Sequence, residues 1–246
     1  MKCILLAGGF ATRMYPLTKG FPKPLLKIAG TPIISVLAND LLKISEINEI
    51  IVVTNKLFEH YFIKWKNSIN SSKIKLYTVN ITEPTPSYGA VNCIVEVYKS
   101  LGIKEDTLIL AADNLLTFSI KQFVEYYSTI KESCVMCYEE NDKNKQRLTG
   151  VITLDKNNKI KKMVEKPTKY ISNIAVPPFY IYKSELANQI ISSINIVRDT
   201  SSPGFLLEAL CKTNSIYAFE MPSSRIDLGT TENYYKYKEQ GIAFNE

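Results

Sequence analysis

Lys2-Cys3-Ile4-Leu5-Leu6-Ala7-Gly8-Gly9-Phe10-Ala11-Thr12-Arg13 is the stretch that decides how the rest of the chain is read. The apolar run ending at Leu6 fits a buried strand, and it empties directly into a loop with no side chains at Gly8 and Gly9. Backbone amides in such a loop can come close to phosphate oxygens and donate to them, and Arg13 at its end is suited to hold a pyrophosphate through paired hydrogen bonds. The loop matches neither G-x-G-x-x-G nor a Walker sequence with its lysine, which disfavours a dinucleotide enzyme and a P-loop ATPase. Two glycines after a strand are also an ordinary turn, so the reading needs support from elsewhere.

Outward from this loop, strand and helix signals alternate. Thr31-Pro32 offers an N-cap and a first-turn proline for a helix carrying Ile33, Ile34, Leu37, Leu41 and Leu42. A second buried strand spans 49–53, with Thr54-Asn55 turning into an amphipathic helix through Phe58, Tyr61, Phe62 and Trp65. Strand 74–79, helix 90–99 and strand 107–111 follow, the last running into Asp113-Asn114, and Ser119 caps a further helix through Phe123 and Tyr127. This alternation predicts a single α/β domain over 1–246, with a mainly parallel sheet, helices on both faces and ligands beyond the carboxyl ends of the strands. Past it the pattern changes to a strand at 134–138 and a hairpin of 151–154 with 160–164. There follow a helix over 184–194, a polar stretch 198–204 expected to be mobile, a short helix through Leu206 and Leu210, a strand 216–219 and a last helix from Thr231.

Composition narrows the function. Of 246 residues, 46% are hydrophobic and 22% charged, as in an ordinary globular protein, and no apolar run approaches a membrane span or a secretory signal. The net charge of +6 is carried mostly by lysine, with arginine only at 13, 147, 198 and 225. That pattern lacks the clustered arginine and aromatic stripe of nucleic-acid binders, and an anionic small substrate accounts for its sign. Five scattered cysteines point to reduced thiols and a cytoplasmic setting; Cys134 and Cys137, with His60 as the one histidine, do not make a zinc site.

The decisive support is Phe21-Pro22-Lys23-Pro24, where prolines on both sides restrict the backbone around one cation. Together with Leu6-Ala7-Gly8-Gly9-Phe10-Ala11-Thr12-Arg13 it resembles the two-part signature of the sugar-1-phosphate nucleotidylyltransferases, in a short single-domain form. The resemblance implies a Rossmann-like three-layer sandwich of the GT-A-like nucleotidyltransferase kind, with residues 1–115 as its nucleotide-binding part and 116–246 as its sugar-binding part. It implies transfer of a nucleotidyl group from a nucleoside triphosphate to a sugar 1-phosphate, releasing pyrophosphate. It also places Leu6, Ala7, Gly8, Gly9, Ala11, Thr12, Arg13 and Lys23 at the triphosphate, and Asp113 and Asp227 as ligands of Mg²⁺, a hard cation suited to carboxylates and phosphates. Val164-Glu165-Lys166-Pro167 resembles the family's glutamate-lysine-proline motif, in which Glu165 accepts sugar hydroxyls and Lys166 approaches phosphate; Gly150 resembles the glycine beside the sugar.

Where the chain departs from the family pattern, the substrate stays open. Ala11 stands where many relatives have glycine. In Glu83-Pro84-Thr85-Pro86-Ser87-Tyr88-Gly89, Glu83 and Gly89 are aligned with the base-reading stretch, but a carboxylate accepts from a ring N–H without donating to the neighbouring carbonyl. The resemblance favours dTTP or UTP, with CTP or GTP held open. Val176-Pro177-Pro178-Phe179-Tyr180 differs from the usual segment beside the sugar. A cytidylyltransferase acting on phosphocholine and a catalytically silent regulatory subunit are the alternatives. The resemblance also admits a homo-oligomer, and the lack of a long repeat domain after the last helix leads us to expect the transfer reaction alone.

Overall fold

The computed structural model describes residues 1–85 and 88–240; for Asp227, Glu239 and Gln240 it describes the backbone alone. In chain order the strands are β1 (Lys2–Leu6), β2 (Lys27–Ile28), β3 (Thr31–Pro32), β4 (Glu49–Asn55), β5 (Ile74–Val79), β6 (Thr107–Ala111), β7 (Asn114–Leu116), β8 (Cys134–Glu139), β9 (Gly150–Leu154), β10 (Ile160–Glu165), β11 (Ile174–Val176), β12 (Phe179–Tyr182), β13 (Tyr217–Glu220) and β14 (Arg225–Asp227). The helices are α1 (Ile33–Leu42), α2 (Glu59–Ile69), α3 (Ala90–Leu101), α4 (Lys121–Ile130), α5 (Lys143–Gln146), α6 (Ala187–Ser192), α7 (Gly204–Leu210) and α8 (Thr231–Gln240). The fold is the expected α/β one of Rossmann-like type, a mixed sheet flanked by helices. Two compact units share it: Met1–Pro84 with Leu110–Gln122 and Pro222–Glu246, and Thr85–Ile109 with Phe123–Met221.

The first unit carries the parallel register. β4 lies between β1 and β5, with Leu6 opposite Val53 and Asn55 opposite Val79. Its strands are rich in Ile and Val, which fit a pleat covered on both faces, and Ile4, Ile51, Val52 and Val53 are buried. β4 runs two residues further than the sequence suggests because Thr54 and Asn55 pair with Thr78 and Val79. Phe58, Phe62 and Trp65 of the α2 region are buried, and the Trp65 indole N–H donates to Ser35 of α1 at 2.8 Å. Thr31 does not cap α1 as expected: it pairs with Ile28 in the β2–β3 ladder, and Pro32 takes the N-cap position instead.

The second unit is mostly antiparallel, in the order β10-β9-β11-β8-β12, with β13 parallel to β8. The β9–β10 hairpin turns where expected, on Asp155, whose carboxylate accepts from the amides of Asn157 and Lys159 at 2.8 and 3.0 Å. β11 and β12 follow the same neighbour, from Ala175 opposite Tyr138 to Tyr180 opposite Val135. Five steps along one strand thus face three along the other, and the excess is a bulge at Pro177-Pro178, where proline has no amide to contribute to a ladder. The helix expected over 184–194 is broken into a 3₁₀ turn, α6 and a second 3₁₀ turn. At that second turn the Ser193 hydroxyl bonds back to the carbonyl of Ile190 at 2.6 Å. The stretch 198–204, expected to be mobile, is instead pinned at both ends, as described below.

All five cysteines are free thiols. Burial pushes the Cys137 thiol up to about 12 and the Cys134 thiol higher still, so both rest as thiols near neutral pH.

Candidate functional site

In the first unit the glycine loop leaves β1 at Leu6 and is anchored at once, the amide of Ala7 donating to the Val53 carbonyl at 2.8 Å. Asn55, at the end of β4, holds the next residue: its side-chain amide donates to the Gly8 carbonyl at 2.9 Å, and its oxygen accepts from the amide of Phe58 at 2.9 Å. Gly9 has open space where a side chain would stand. Ala11 sits in the left-handed region with φ 47, the conformation in which glycine is at ease and alanine is strained. A short 3₁₀ turn, Thr12–Met14, follows, and the Ala11 carbonyl receives both the Met14 amide at 2.9 Å and the buried Thr18 hydroxyl at 2.8 Å. Arg13 is exposed and forms no ion pair among the described residues.

Lys23 and Asp113, ninety positions apart in sequence, meet. The Lys23 ammonium lies 2.7 Å from Asp113 Oδ2; the lysine side chain is 6% exposed and the aspartate 36%. Asp113 Oδ1 accepts from the Asn114 side chain at 2.9 Å, and the Asn114 oxygen accepts in turn from Arg225. β7 and β14 pair antiparallel with Asp227 directly opposite Asn114. Paired α-carbons in such a ladder are about 4.5–5.5 Å apart, so the backbone of Asp227 lies beside that of Asp113.

One apolar cluster fixes this arrangement. Met14, Leu26, Ile28, Ile33, Leu115, Leu228 and Tyr234 pack together. Met14 follows Arg13, Leu115 lies two residues past Asp113, Leu228 follows Asp227 and Leu26 comes three after Lys23. Each charged candidate is therefore tethered by a neighbour in sequence to the same buried mass. The charged groups do not have to find one another against chain entropy, because burial of their neighbours has already brought the segments together.

In the second unit Glu165 ends β10 opposite Gly150 at the start of β9. Its side chain is almost fully enclosed, the residue being 3% exposed. Oε1 accepts from the Ser202 hydroxyl at 2.7 Å. A Cβ at Gly150 would stand 2.9 Å from Oε2, and one at Gly204 would stand 1.9 Å from it, so a side chain at either position would displace the carboxylate. Burial pushes the Glu165 carboxyl above the usual carboxylate range, and the Ser202 hydrogen bond offsets part of that rise. Lys166 adopts φ 49 immediately before Pro167, against the preferences of a residue with a side chain and of a residue preceding proline. Its amide donates to the Thr149 carbonyl at 3.0 Å, which holds it there.

Stretch 198–204 encloses this carboxylate. Arg198 donates to the backbone carbonyl of Glu165, pairs with Glu208 at 3.4 Å and lies over the Phe205 ring at 4.5 Å. The amide of Glu165 donates to Glu208 at 2.9 Å. Gly89, the N-cap of α3, faces the same stretch: a Cβ there would fall 2.1 Å from the Thr200 carbonyl oxygen, which accepts from the amide of Val91 at 3.0 Å. Glu83, by contrast, is exposed in the first unit; Pro86 and Ser87 of the expected base-reading stretch lie outside the described residues. Asn55, Asn114, Ser202 and Gly204 were not singled out by the sequence reading. The last of these had a signal, a lone glycine opening an apolar helix after Ser-Ser-Pro.

The model for a family described as nucleotidyl transferase matches residues 2–242. Among similar curated proteins, mannose-1-phosphate guanylyltransferase 1 of Arabidopsis thaliana is 25% identical over 236 residues, covering 95% of this chain and 63% of its own length. The mannose-1-phosphate guanylyltransferase catalytic subunit beta of Drosophila melanogaster is 24% identical over 234 residues, covering 95% of this chain and 60% of its own length. The chain thus spans under two thirds of these relatives. A solved UDP-glucose pyrophosphorylase complexed with UDP-glucose shares the fold with a TM-score of 0.81 at 22% identity, covering 96% of each chain. A UDP-glucose pyrophosphorylase from Acinetobacter baumannii does so with a TM-score of 0.75 at 17% identity, over 98% of this chain and 95% of that one.

Proposed function

The chain belongs to the nucleotidyl transferase family, and on that premise we propose that it transfers a nucleotidyl group from a nucleoside triphosphate to a sugar 1-phosphate, releasing pyrophosphate. The observation that carries the reading is the register placing Asp227 opposite Asn114, beside an Asp113 that already binds the Lys23 cation at 2.7 Å. Two aspartates whose backbones lie side by side, next to a glycine loop, supply the oxygen donors that fit Mg²⁺, which commonly takes one or two carboxylates and completes its shell with phosphate and water. Asp113 and Asp227 would hold that ion, and its charge would offset the charge of the phosphates.

The chain's own residues do the rest. Amides of the loop from Leu6 through Thr12 cradle the triphosphate, with Gly8 and Gly9 permitting close approach, and exposed Arg13 reaches its β- and γ-phosphates. Lys23, fixed between two prolines, supplies positive charge where negative charge gathers on the transferring phosphoryl group. A sugar-phosphate oxygen attacks the α-phosphorus, the bond to pyrophosphate breaks, and pyrophosphate leaves with the electron pair. An anionic nucleophile needs no general base, so positioning and charge neutralisation carry the rate. Residues 1–115 serve the nucleotide and 116–246 the sugar, with Asp227 returning to the nucleotide side; Gly150, Glu165 and Lys166 receive the sugar phosphate.

For the base, we favour GTP over dTTP or UTP. Glu83 is an acceptor-only group, and guanine presents two adjacent donors, the ring N–H and the amino group, whereas a pyrimidine dione presents one N–H flanked by carbonyls. The names of the relatives from Arabidopsis and Drosophila support the same choice, and with it mannose 1-phosphate as acceptor. Pyrophosphate release measured with Mg²⁺ for GTP, dTTP, UTP and CTP against mannose 1-phosphate, glucose 1-phosphate and phosphocholine tests this. GTP with a hexose 1-phosphate should be the fastest combination. Release with phosphocholine alone, or with no pair, would refute the proposal.

A further inference from the structure

We infer that Ser202 and Gly204 are positioning residues that set which oxygen of Glu165 is offered to the sugar, an inference that rests on the transferase reading above. The two carboxylate oxygens differ. Oε1 accepts the Ser202 hydroxyl at 2.7 Å, while Oε2 accepts no hydrogen bond from any described residue. The residue is 3% exposed, and the Ser202 hydroxyl is the one donor that the described residues give its carboxylate.

The space around Oε2 is made by absences. It stands where the side chains of two other residues would be: 1.9 Å from a Cβ at Gly204 and 2.9 Å from one at Gly150. Ser202 and Gly204 come from one stretch whose own place is fixed independently. Arg198 is tied to the Glu165 backbone and lies over Phe205 at 4.5 Å, and Thr200 receives the amide of Val91 at 3.0 Å. The Lys166 ammonium, 5.4 Å from the centre of the same Phe205 ring, keeps a cation beside the carboxylate for the phosphate of the same substrate. Ser202 thus occupies one acceptor, and the other lies against the two glycines, clear of that hydroxyl.

The test is a split between the two substrates. In Gly204→Ala, whose methyl group falls on Oε2, the KM for the sugar 1-phosphate should rise about tenfold or more while the KM for the triphosphate stays within about twofold. Ser202→Ala should raise the sugar-phosphate KM less, and Ser202→Thr, which keeps the hydroxyl, should restore it. Thermal melting checks that each variant folds; if Gly204→Ala does not, the Ser202 pair decides. A sugar-phosphate KM unchanged in folded variants, or equal rises for both substrates, would overturn the inference and leave the transferase reading standing. A wild-type protein inactive with every pair would instead remove that reading, and this inference with it.

Discussion

Asp113 and Glu165 are both carboxylates at the carboxyl ends of strands, and the molecule treats them in opposite ways. Asp113 is 36% exposed, with a cation at 2.7 Å from a distant segment and an amide from its own neighbour. Glu165 is 3% exposed, enclosed by two glycines and a serine, and its carboxyl is pushed above the usual range by that enclosure. The first arrangement suits the capture of a mobile cation, since an accessible carboxylate pays little desolvation and its apolar neighbours fix its place. The second suits reading a neutral polar ligand, since an enclosed oxygen discriminates for a donor of the right size and position. On the proposed reading, one carboxylate supplies charge and the other supplies shape.

The largest effect that would break this contrast lies at the charge-supplying site. Asp113→Asn and Asp227→Asn should each lower kcat/KM by roughly two orders of magnitude or more, with circular dichroism and melting nearly unchanged. Near-normal turnover in both would show that the pair is a surface feature. Next in size is an effect on stability at the enclosed site. Gly89→Ala would set a methyl group 2.1 Å from the Thr200 carbonyl, a backbone atom that cannot swing away, so urea unfolding should show a loss of about 1–3 kcal/mol. An unchanged midpoint would mean that stretch 198–204 does not seat there.

The pH dependence of stability sharpens the comparison further. Glu165 has a raised folded-state pKa, so its native form holds its proton longer than the unfolded chain does. Its contribution is fully present below the ordinary carboxylate range and is lost as pH rises through the higher folded value. Relative to Glu165→Gln, the wild type should therefore lose stability across that window on going from acid toward neutral, and parallel curves would contradict the enclosure. The smallest effect concerns the loop. Ala11→Gly relieves a left-handed alanine, worth about 1–2 kcal/mol, against a loss of about 0.4–1 kcal/mol to a freer unfolded chain. Melting should show a gain of about 0.5 kcal/mol, and a clear loss would mean that the strain at φ 47 is not real.

The same contrast explains what could be read in the sequence. Strands 74–79 and 107–111 match their observed bounds because buried parallel strands have a simple apolar signature. The charge-supplying residues were legible because each sits in a local motif: Arg13 after two glycines, Lys23 between two prolines, Asp113 after an apolar strand. That Lys23 and Asp113 would touch was not legible, since nothing local connects positions ninety apart. At the enclosed site only the Glu165 half carried a motif. Its other half, 198–204, has the composition of a solvated loop, and its order comes from contacts with Glu165, Val91 and Phe205 that no window of sequence contains. The strand β14 was missed for a related reason: three residues are too few to show alternation, and its partner β7 is equally short.

The central claim is that Asp113 and Asp227 act as a pair on a single divalent ion, and Mn²⁺ in place of Mg²⁺ reports on it directly. Titrated by electron paramagnetic resonance in the presence of a non-hydrolysable GTP analogue, the wild type and Glu165→Gln should each take up a single tightly held Mn²⁺ per chain. Asp113→Asn and Asp227→Asn should each lose it. Undiminished Mn²⁺ binding in both aspartate variants would contradict the account.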